Sequence, residues 1–280
     1  MPDPTLVISD LDAYYGGAHV LRGLSCTVDE QTTAIVGRNG MGKSTLCKAI
    51  MGFTPPRAKG SITFEGRQIL GLPSYAVCRA GIAYVPQGRR IFPSLTTDEH
   101  LRMLNPSLIQ RGRWTIEAVY NLYPRLAERK KVRASLLSGG EQQMLAIGRA
   151  LLTNPTLVVM DEPSEGLAPA IVEQLVETCK SLVAEGVTLL LIEQNLGVAA
   201  AVADRLLVML GGEIALETRS AQLLSDREAQ QRYLGVEPQA EEAPVDASAD
   251  QRSPAGTPLP GASDDAATAA TSLDASQGPV

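Results

Sequence analysis

The sequence predicts an α/β domain followed by a tail that lacks the residues needed for a core. From residue 5 to 235, short apolar runs alternate with segments in which apolar residues recur at helical spacing. The runs 33–36, 157–160 and 188–192 are typical of parallel strands that are covered on both faces. Beyond residue 236 the chain contains no Ile, Phe, Tyr or Trp. We therefore expect a folded domain over residues 1–236 and a disordered, acidic Pro/Ala/Ser-rich tail over residues 237–280.

Within the folded part, the patterns predict three kinds of structure. Leu6–Ile8, Val20–Val28 and Ser61–Phe64 are strand-like and predict an antiparallel β portion. After Pro169 the apolar residues keep helical spacing as far as Val183. Between about residues 88 and 150 the pattern changes to polar helices, and we expect a helical insertion that carries a contact surface.

Charge and composition exclude several classes of function. The tail holds eight acidic residues and one basic residue, and it therefore accounts for the negative net charge of the whole chain. The folded part is close to neutral and has no basic nucleic-acid-binding character. No apolar run approaches the roughly 18 residues of a transmembrane helix, and we expect a cytoplasmic protein that reaches a membrane only through a partner. The four cysteines show no paired spacing, which predicts reduced thiols rather than disulfides or a zinc site.

A phosphate-binding loop follows the apolar run that ends at residue 36. The sequence from Gly37 fits G-x-x-x-x-G-K-[ST], directly after a strand pattern and before a helical one. Glycines let successive N–H groups point into one concavity, Lys43 is suited to the β/γ-phosphates, and Ser44 is suited to Mg²⁺. We therefore predict an ATP site formed by Gly37, Arg38, Asn39, Gly40, Met41, Gly42, Lys43, Ser44 and Thr45.

A pair of carboxylates ends the apolar run at residues 157–160. Asp161 is suited to the magnesium shell, and Glu162 is suited to orienting or deprotonating an attacking water. An ordinary surface turn is the alternative for Asp-Glu-Pro, and the phosphate-binding loop argues against it. The pair therefore predicts ATP hydrolysis in addition to binding.

The segment 137–143, Leu-Ser-Gly-Gly-Glu-Gln-Gln, decides among families with such a loop. It resembles the LSGGQ signature of ATP-binding cassette (ABC) ATPases. Ser138, Gly139, Gly140 and Glu141 at a helix start can form a second anion-binding site. The same residues also fit a capping box, and we expect the segment both to cap the helix and to bind phosphate.

The resemblance extends through about residues 5–235. It implies an ABC cassette with a RecA-like parallel-sheet core, an antiparallel β portion and a helical signature subdomain. Tyr15 matches the aromatic residue that stacks on adenine, although Tyr14 could do so or both could be strand residues. Gln87 matches the family's Gln-loop residue, which senses Mg²⁺ and contacts the membrane subunit.

The resemblance also implies partners. The family works as dimers, in which the loop at 37–44 of one subunit faces residues 138–141 of the other. Integral-membrane permeases would receive the helical region, and a solute-binding protein would take part indirectly. We expect a cassette partner, either a second copy or a different ATPase subunit, a position on the inner face of the cell membrane, and no nucleic-acid partner.

Two positions depart from the usual family pattern. Gln194 occupies the place of the switch histidine, and Ala168 stands where many relatives have an aspartate. Gln194 could hydrogen-bond the γ-phosphate, although an amide cannot carry a proton at neutral pH. The two histidines, His19 and His100, are interpreted as ordinary surface or turn residues.

With these departures, the sequence resembles one subfamily of ABC ATPases, the smaller ATPase subunit of branched-chain amino acid importers. The strings at 37–42, 85–93, 161–169 and 193–195 carry this similarity. The glutamate at position 165 is more typical of the ATPase subunits of urea/amide importers, so that subfamily remains an alternative. The other alternative, a cytosolic ABC ATPase acting on nucleic acid or the ribosome, is disfavoured because the sequence shows a single, near-neutral cassette.

Overall fold

A computed structural model describes residues 5–29, 31–104 and 112–235. The predicted tail at 237–280 lies outside the described residues, and the proposed domain boundary stays a prediction. In chain order the strands are β1 (Leu6–Tyr15), β2 (Ala18–Val28), β3 (Thr32–Val36), β4 (Arg57–Phe64), β5 (Arg67–Gln68), β6 (Ile82–Val85), β7 (Leu157–Asp161), β8 (Thr188–Glu193), β9 (Arg205–Leu210) and β10 (Glu213–Arg219).

The α-helices are α1 (Lys43–Ile50), α2 (Ser74–Ala80), α3 (Thr97–Arg102), α4 (Ile116–Leu122), α5 (Pro124–Glu128), α6 (Gly139–Leu151), α7 (Pro169–Ala184), α8 (Leu196–Val202), α9 (Ser220–Ser225) and α10 (Arg227–Ala229). A 3₁₀ turn covers Ala134–Leu136, and a π-helical turn covers Gln230–Leu234.

Two sheets organise the described residues. One is antiparallel with the order β2-β1-β4-β5, as predicted from the early strand patterns. The other has the order β10-β9-β3-β8-β7-β6, in which only the β10–β9 pair is antiparallel. The α/β fold class is therefore confirmed.

The core is divided between the two faces of the second sheet. Val158 and Met160 of β7 belong to one cluster of buried side chains, while Leu157 and Val159 belong to the other. This alternation is the period of a strand, and burial on both faces explains why β7 is apolar at every position before Asp161. The polar ends of such strands mark the edge at which a site can form.

The helices between residues 88 and 150 pack into one of these clusters. Leu101 of α3, Val119 of α4 and Leu126 of α5 are buried with the apolar side of α6. Because α6 ends shortly before β7, this packing fixes the segment that begins at Ser138 relative to the sheet edge carrying Asp161.

The sequence patterns missed several elements. β6 has only four residues before Pro86, so its strand period is too short to recognise. β9 and β10 complete the second sheet and were not expected. The interpretation of His100 as a surface or turn residue is wrong, because His100 lies in α3 without any exposed surface. His19 is exposed, as expected.

Candidate functional site

The phosphate-binding loop joins β3 to α1 and depends on glycine at specific positions. A Cβ at Gly37 would lie 2.7 Å from the Met209 carbonyl oxygen, and one at Gly42 would lie 2.8 Å from Leu21 Cδ2. Gly42 also has φ 106°, which side chains rarely tolerate. A side chain at Gly37 or Gly42 would collide with these neighbours, and the φ of Gly42 also disfavours any other residue. Glycine at both positions therefore allows the loop to pack closely at the start of α1.

The first turn of α1 fits an anion. Gly42 provides no side-chain cap, and the turn contains no acidic residue. Helix N-terminal N–H groups without a capping side chain are a ready binding place for phosphate oxygens, and the helix dipole adds to the attraction. The described residues lining the cleft at this point are Val20, Asn39, Gly40, Gly42, Lys43, Ser44, Thr45, Gln87 and Glu162.

Lys43 is buried at the floor of the cleft. Its Nζ donates to the carbonyl oxygens of Gly37 at 2.7 Å and Arg38 at 3.0 Å. The same atom lies 3.0 Å from Glu162 Oε1. The ammonium group therefore has three oxygen partners, which match its three donors. Of these partners, the Glu162 carboxylate is the one that a phosphate oxygen can replace without unfolding the loop.

Asp161 is held by hydroxyl groups from two other elements. Ser44 Oγ donates to Asp161 Oδ1 at 3.3 Å, and Tyr84 Oη donates to Asp161 Oδ2 at 3.1 Å. Burial raises the pKa of Asp161, whereas the hydrogen bonds from Ser44 and Tyr84 lower it. The adjacent hydroxyl and carboxylate oxygens are hard ligands of the kind Mg²⁺ prefers. Ser44 and Asp161 therefore fit a magnesium ion that is also bound by phosphate.

Glu162 is fixed through its backbone as well as its side chain. Its N–H donates to the Ile192 carbonyl oxygen at 2.7 Å, and its φ of 48° lies in the left-handed region. Gln87 Nε2 donates to Glu162 Oε2 at 3.0 Å and to Glu165 Oε2 at 2.9 Å. The predicted Gln-loop residue is thus adjacent to Glu162 and lines the phosphate cleft, where its role as a metal ligand stays a prediction.

Gln194 lies beside a second part of the cleft system. It is exposed at the carboxyl end of β8, and its N–H donates to Glu193 Oε2 at 3.2 Å. Glu162, Ser164, Glu165 and Gly166 line the same depression as Gln194. The structure therefore brings both predicted catalytic residues to one depression, and their catalytic roles stay predictions.

The segment from Ser138 to Glu141 forms the predicted capping box. Glu141 N–H donates to Ser138 Oγ at 3.3 Å, and Ser138 N–H donates to Glu141 Oε2 at 2.7 Å. A Cβ at Gly140 would lie 2.7 Å from Ile171 Cγ2, which explains one of the two glycines. These residues do not belong to the described lining of the Lys43 cleft, so phosphate binding by them stays a prediction.

The two candidate adenine-binding tyrosines have different surroundings. Lys48 Nζ lies 3.4 Å from Tyr15 Oη and 5.7 Å from the centre of its ring. The Tyr14 ring stacks on His19 with centroids 4.3 Å apart. Tyr15 is thus placed beside α1, whereas the Tyr14 ring already has an aromatic partner. Neither tyrosine is among the described residues that line the Lys43 cleft.

Sequence reasoning missed two side chains of this site. Tyr84 donates to Asp161, and Glu193 accepts hydrogen bonds from the loops on either side of the depression beside Gln194. The sequence does contain a signal for Glu193. Thr188–Glu193 is apolar at its four central positions, and a charged residue at the end of such a strand indicates a candidate site residue. The signal for Tyr84 is weak, since aromatic residues are common in strands.

Comparison with known proteins identifies the family. The family model described as "ABC transporter" matches residues 21–165, which include the phosphate-binding loop, residues 138–141 and the Asp161–Glu162 pair. The chain belongs to the ABC transporter family. It is an ATP-hydrolysing cassette of that family, as its phosphate-binding loop and its carboxylate pair indicate.

Relatives and a solved structure match almost the whole length of a cassette. The chain is 42% identical to BraG of Pseudomonas aeruginosa, a high-affinity branched-chain amino acid transport ATP-binding protein, over 82% of this chain and 99% of BraG. It is 29% identical to BraF, which has the same description in the same organism, over 84% of this chain and 99% of BraF. A nucleotide-free ATP-binding cassette from an ABC transporter superposes with TM-score 0.71 and 28% identity, over 84% of this chain and 100% of that structure.

Proposed function

We propose that this ABC cassette is the ATP-hydrolysing subunit of an importer for branched-chain amino acids. The observation that carries the proposal is the match to BraG at 42% identity over 99% of that protein. The convergence of Lys43, Ser44, Asp161 and Glu162 at one sheet edge supplies the chemistry. Because an ATPase subunit does not contact the cargo, the substrate class depends on the relatives and the chemistry depends on the site.

Binding of ATP begins at the loop between β3 and α1. The N–H groups of the loop and of the first turn of α1 receive phosphate oxygens, and Lys43 pairs with the β/γ-phosphates. In the structure the Lys43 ammonium is paired with Glu162, so an incoming phosphate competes with that carboxylate. This exchange frees Glu162 at the moment when the γ-phosphate arrives, and it links nucleotide binding to readiness for hydrolysis.

Ser44 and Asp161 would hold a magnesium ion together with the bound phosphates. When bound, Mg²⁺ neutralises charge on the β- and γ-phosphate oxygens and thereby favours phosphoryl transfer to water. Tyr84 orients the Asp161 carboxylate through its hydroxyl hydrogen bond. Gln87 lies within reach of Glu162, where its amide can respond to changes at the phosphate cleft.

Glu162 performs the water step. Once released from Lys43, its carboxylate accepts a hydrogen bond from the attacking water and takes its proton as the oxygen bonds to the γ-phosphorus. The bond from the γ-phosphorus to the bridging oxygen breaks, and ADP leaves with that electron pair. Gln194 contributes an amide donor for a γ-phosphate oxygen in place of an imidazole.

The cassette requires partners to transport anything. Among the described residues, no helix is both long and apolar enough to cross a membrane. We propose that integral-membrane permeases bind this subunit on the inner face of the cell membrane. BraG and BraF, two different ATP-binding proteins with one description in one organism, support pairing with a second cassette of a different sequence.

A tagged full-length chain, purified from gently solubilised membranes of its own organism, tests the proposal. We expect two permeases, a second cassette protein and ATP hydrolysis that responds to a solute-binding protein loaded with leucine, isoleucine or valine. A urea-loaded binding protein is the matched comparison. Recovery of ribosomes or nucleic acid without a membrane protein would contradict the transport proposal, and absence of ATP hydrolysis would contradict the enzymatic one.

A further inference from the structure

The last residue of β8, Glu193, is a buried carboxylate with only 2% of its surface exposed. Its Oε1 accepts the N–H of Ser164 at 3.0 Å. Its Oε2 accepts the N–H groups of Gln194 at 3.2 Å and Asn195 at 3.4 Å. One carboxylate thus receives donors from two loops, the one that follows β7 and the one that follows β8.

A second contact joins the same two loops. The N–H of Glu162, in the loop after β7, donates to the carbonyl oxygen of Ile192 at the end of β8 at 2.7 Å. The water-activating carboxylate and Gln194 are therefore attached to one another through two neighbouring links. The link through Ile192 uses the backbone alone, whereas the link through Glu193 depends on the side chain.

Hydrogen bonds from two loops offset the burial of Glu193. Burial raises the pKa of Glu193, while hydrogen bonds from Ser164, Asn195 and Gln194 lower it. Among the described residues, none of the ion pairs includes Glu193. A buried carboxylate without a cation is unfavourable compared with an apolar residue at the end of an apolar strand. Such a group in a cleft next to catalytic candidates is a candidate for a functional role.

We propose that Glu193 is a positioning residue, which holds the loop carrying Gln194 against the loop carrying Glu162. In this arrangement the Gln194 amide can contact the γ-phosphate while the Glu162 carboxylate contacts the water that attacks it. Glu193 itself does not touch the nucleotide, since its two oxygens are used by Ser164, Gln194 and Asn195. The inference rests on the proposed function, because it assigns the geometry of that ATPase site.

Glu193→Gln tests the link with little change in volume. An amide has one acceptor oxygen, so it can satisfy the donor of one loop while its NH₂ group faces the donor of the other. We expect kcat for ATP hydrolysis by the full chain to fall at least tenfold, with KM for ATP within threefold of wild type. A fall in kcat without a change in KM is the result for a lost positioning effect at the reacting groups.

A double-mutant cycle with Gln194→Ala shows whether the effect passes through Gln194. If Glu193 acts by placing Gln194, the double variant should be no slower than the slower single variant. Leu190→Val, a smaller side chain at a fully buried position of β8, is the control for general loosening of the strand. We expect this control to lower the melting temperature and to keep kcat within twofold.

Several results would overturn the inference. These are an unchanged kcat for Glu193→Gln, additive losses in the cycle with Gln194→Ala, or an equal fall of kcat in the Leu190→Val control. If Glu193→Gln does not fold, Glu193→Asp is measured instead, because the shorter side chain cannot bring its carboxylate to both loops. An unchanged kcat in Glu193→Asp would contradict the proposal. Wild-type protein that does not hydrolyse ATP would refute the proposed function itself, whereas an active wild type with an unaffected Glu193→Gln variant refutes only the positioning role.

Discussion

The ammonium group of Lys43 and the carboxylate of Glu162 lie 3.0 Å apart, with 3% and 8% of the two side chains exposed. This ion pair joins the residue suited to hold phosphate with the residue suited to activate water. Phosphate and carboxylate are both oxygen anions, so each can serve as the partner of Lys43. Under the proposed mechanism, this pair would keep Glu162 inactive until a nucleotide binds.

Glu162→Gln should separate nucleotide binding from hydrolysis. The amide cannot accept a proton from water at neutral pH, and it competes less well for Lys43 than a carboxylate does. We expect ATP to bind at least as tightly as in wild type, while turnover falls by roughly 10²- to 10⁴-fold. Equilibrium binding of a fluorescent ATP analogue and single-turnover hydrolysis measure the two effects.

The exposed Glu173 of α7 supplies the matched comparison for this change. Glu173→Gln removes the same charge without touching the cleft and should leave both measurements unchanged. Weaker ATP binding in Glu162→Gln would show that the carboxylate does not compete with phosphate for Lys43.

Tyr84→Phe should alter the magnesium dependence of hydrolysis. The change removes the hydroxyl that donates to Asp161 Oδ2 at 3.1 Å and leaves the ring in place. Groups that orient a metal ligand typically contribute about 10- to 100-fold to metal affinity. We expect the Mg²⁺ concentration for half-maximal ATP hydrolysis to rise by about tenfold, with a smaller change in the maximal rate.

Tyr75→Phe is the control for Tyr84→Phe, because Tyr75 lies in α2 with 65% of its surface exposed. It should leave the Mg²⁺ titration unchanged. If the titration of Tyr84→Phe also coincides with that of wild type, Asp161 is held well enough by Ser44 alone, and the role given to Tyr84 is wrong.

The sequence predicts those parts of the site whose chemistry lies in a continuous string. The loop from Gly37 to Thr45 and the Asp161–Glu162 pair each carry their donors and acceptors within a few residues. The same holds for the capping box from Ser138 to Glu141, in which both hydrogen bonds span three residues. The residue types and their spacing within a short segment are sufficient to recognise such features.

The parts that escaped prediction depend on contacts between distant residues. Tyr84 and Asp161 are 77 positions apart, and Ser164 and Glu193 are 29 positions apart, so neither pair forms a local motif. They meet because β6, β7 and β8 are parallel neighbours whose carboxyl ends share one edge. His100 is a further case, since its burial is set by the packing of α3 and not by its polar sequence neighbours.

Gly37→Ala should damage both the loop and the sheet that supports it. The new methyl carbon would lie 2.7 Å from the Met209 carbonyl oxygen, a backbone atom that cannot turn aside. Overpacking of this kind lowers stability by about 1–3 kcal/mol, and the displaced loop should bind ATP at least tenfold more weakly. Chemical denaturation and ATP titration measure the two losses.

Gly17→Ala is the matched glycine control, because a Cβ there has no neighbour within 4 Å and its φ lies outside the left-handed region. Both measurements should remain at wild-type values in this variant. Normal ATP affinity in Gly37→Ala would show that the loop tolerates displacement and that the close approach to Met209 does not shape the site.

His100 should make the stability of the protein depend on pH. Its Nε2 accepts the N–H of Phe92 at 2.8 Å, and its Nδ1 lies 3.1 Å from the Thr96 carbonyl oxygen, so the neutral ring donates to Thr96. Burial lowers the pKa of His100 below its usual 6.5, although the hydrogen bond to Thr96 acts in the other direction. A second ring proton would also face the Phe92 N–H, and the folded state therefore keeps the ring neutral.

The sign of the effect follows from proton uptake on unfolding. As the pH falls below about 6.5, the unfolded chain binds a proton at His100 before the folded chain does, so the free energy of unfolding decreases. His100→Gln lacks this titration. We expect it to be less stable than wild type at pH 7.5, with a difference that narrows as the pH falls to 5.5.

Urea denaturation of the two proteins across this pH range measures the difference. His19→Gln, a change at an exposed histidine, keeps His100 and should still lose stability as the pH falls. A constant difference between wild type and His100→Gln from pH 7.5 to 5.5 would mean that the folded protein protonates His100 as readily as the unfolded chain. The ring would then not be held neutral by Phe92, and the segment preceding α3 would have to be fixed by other contacts.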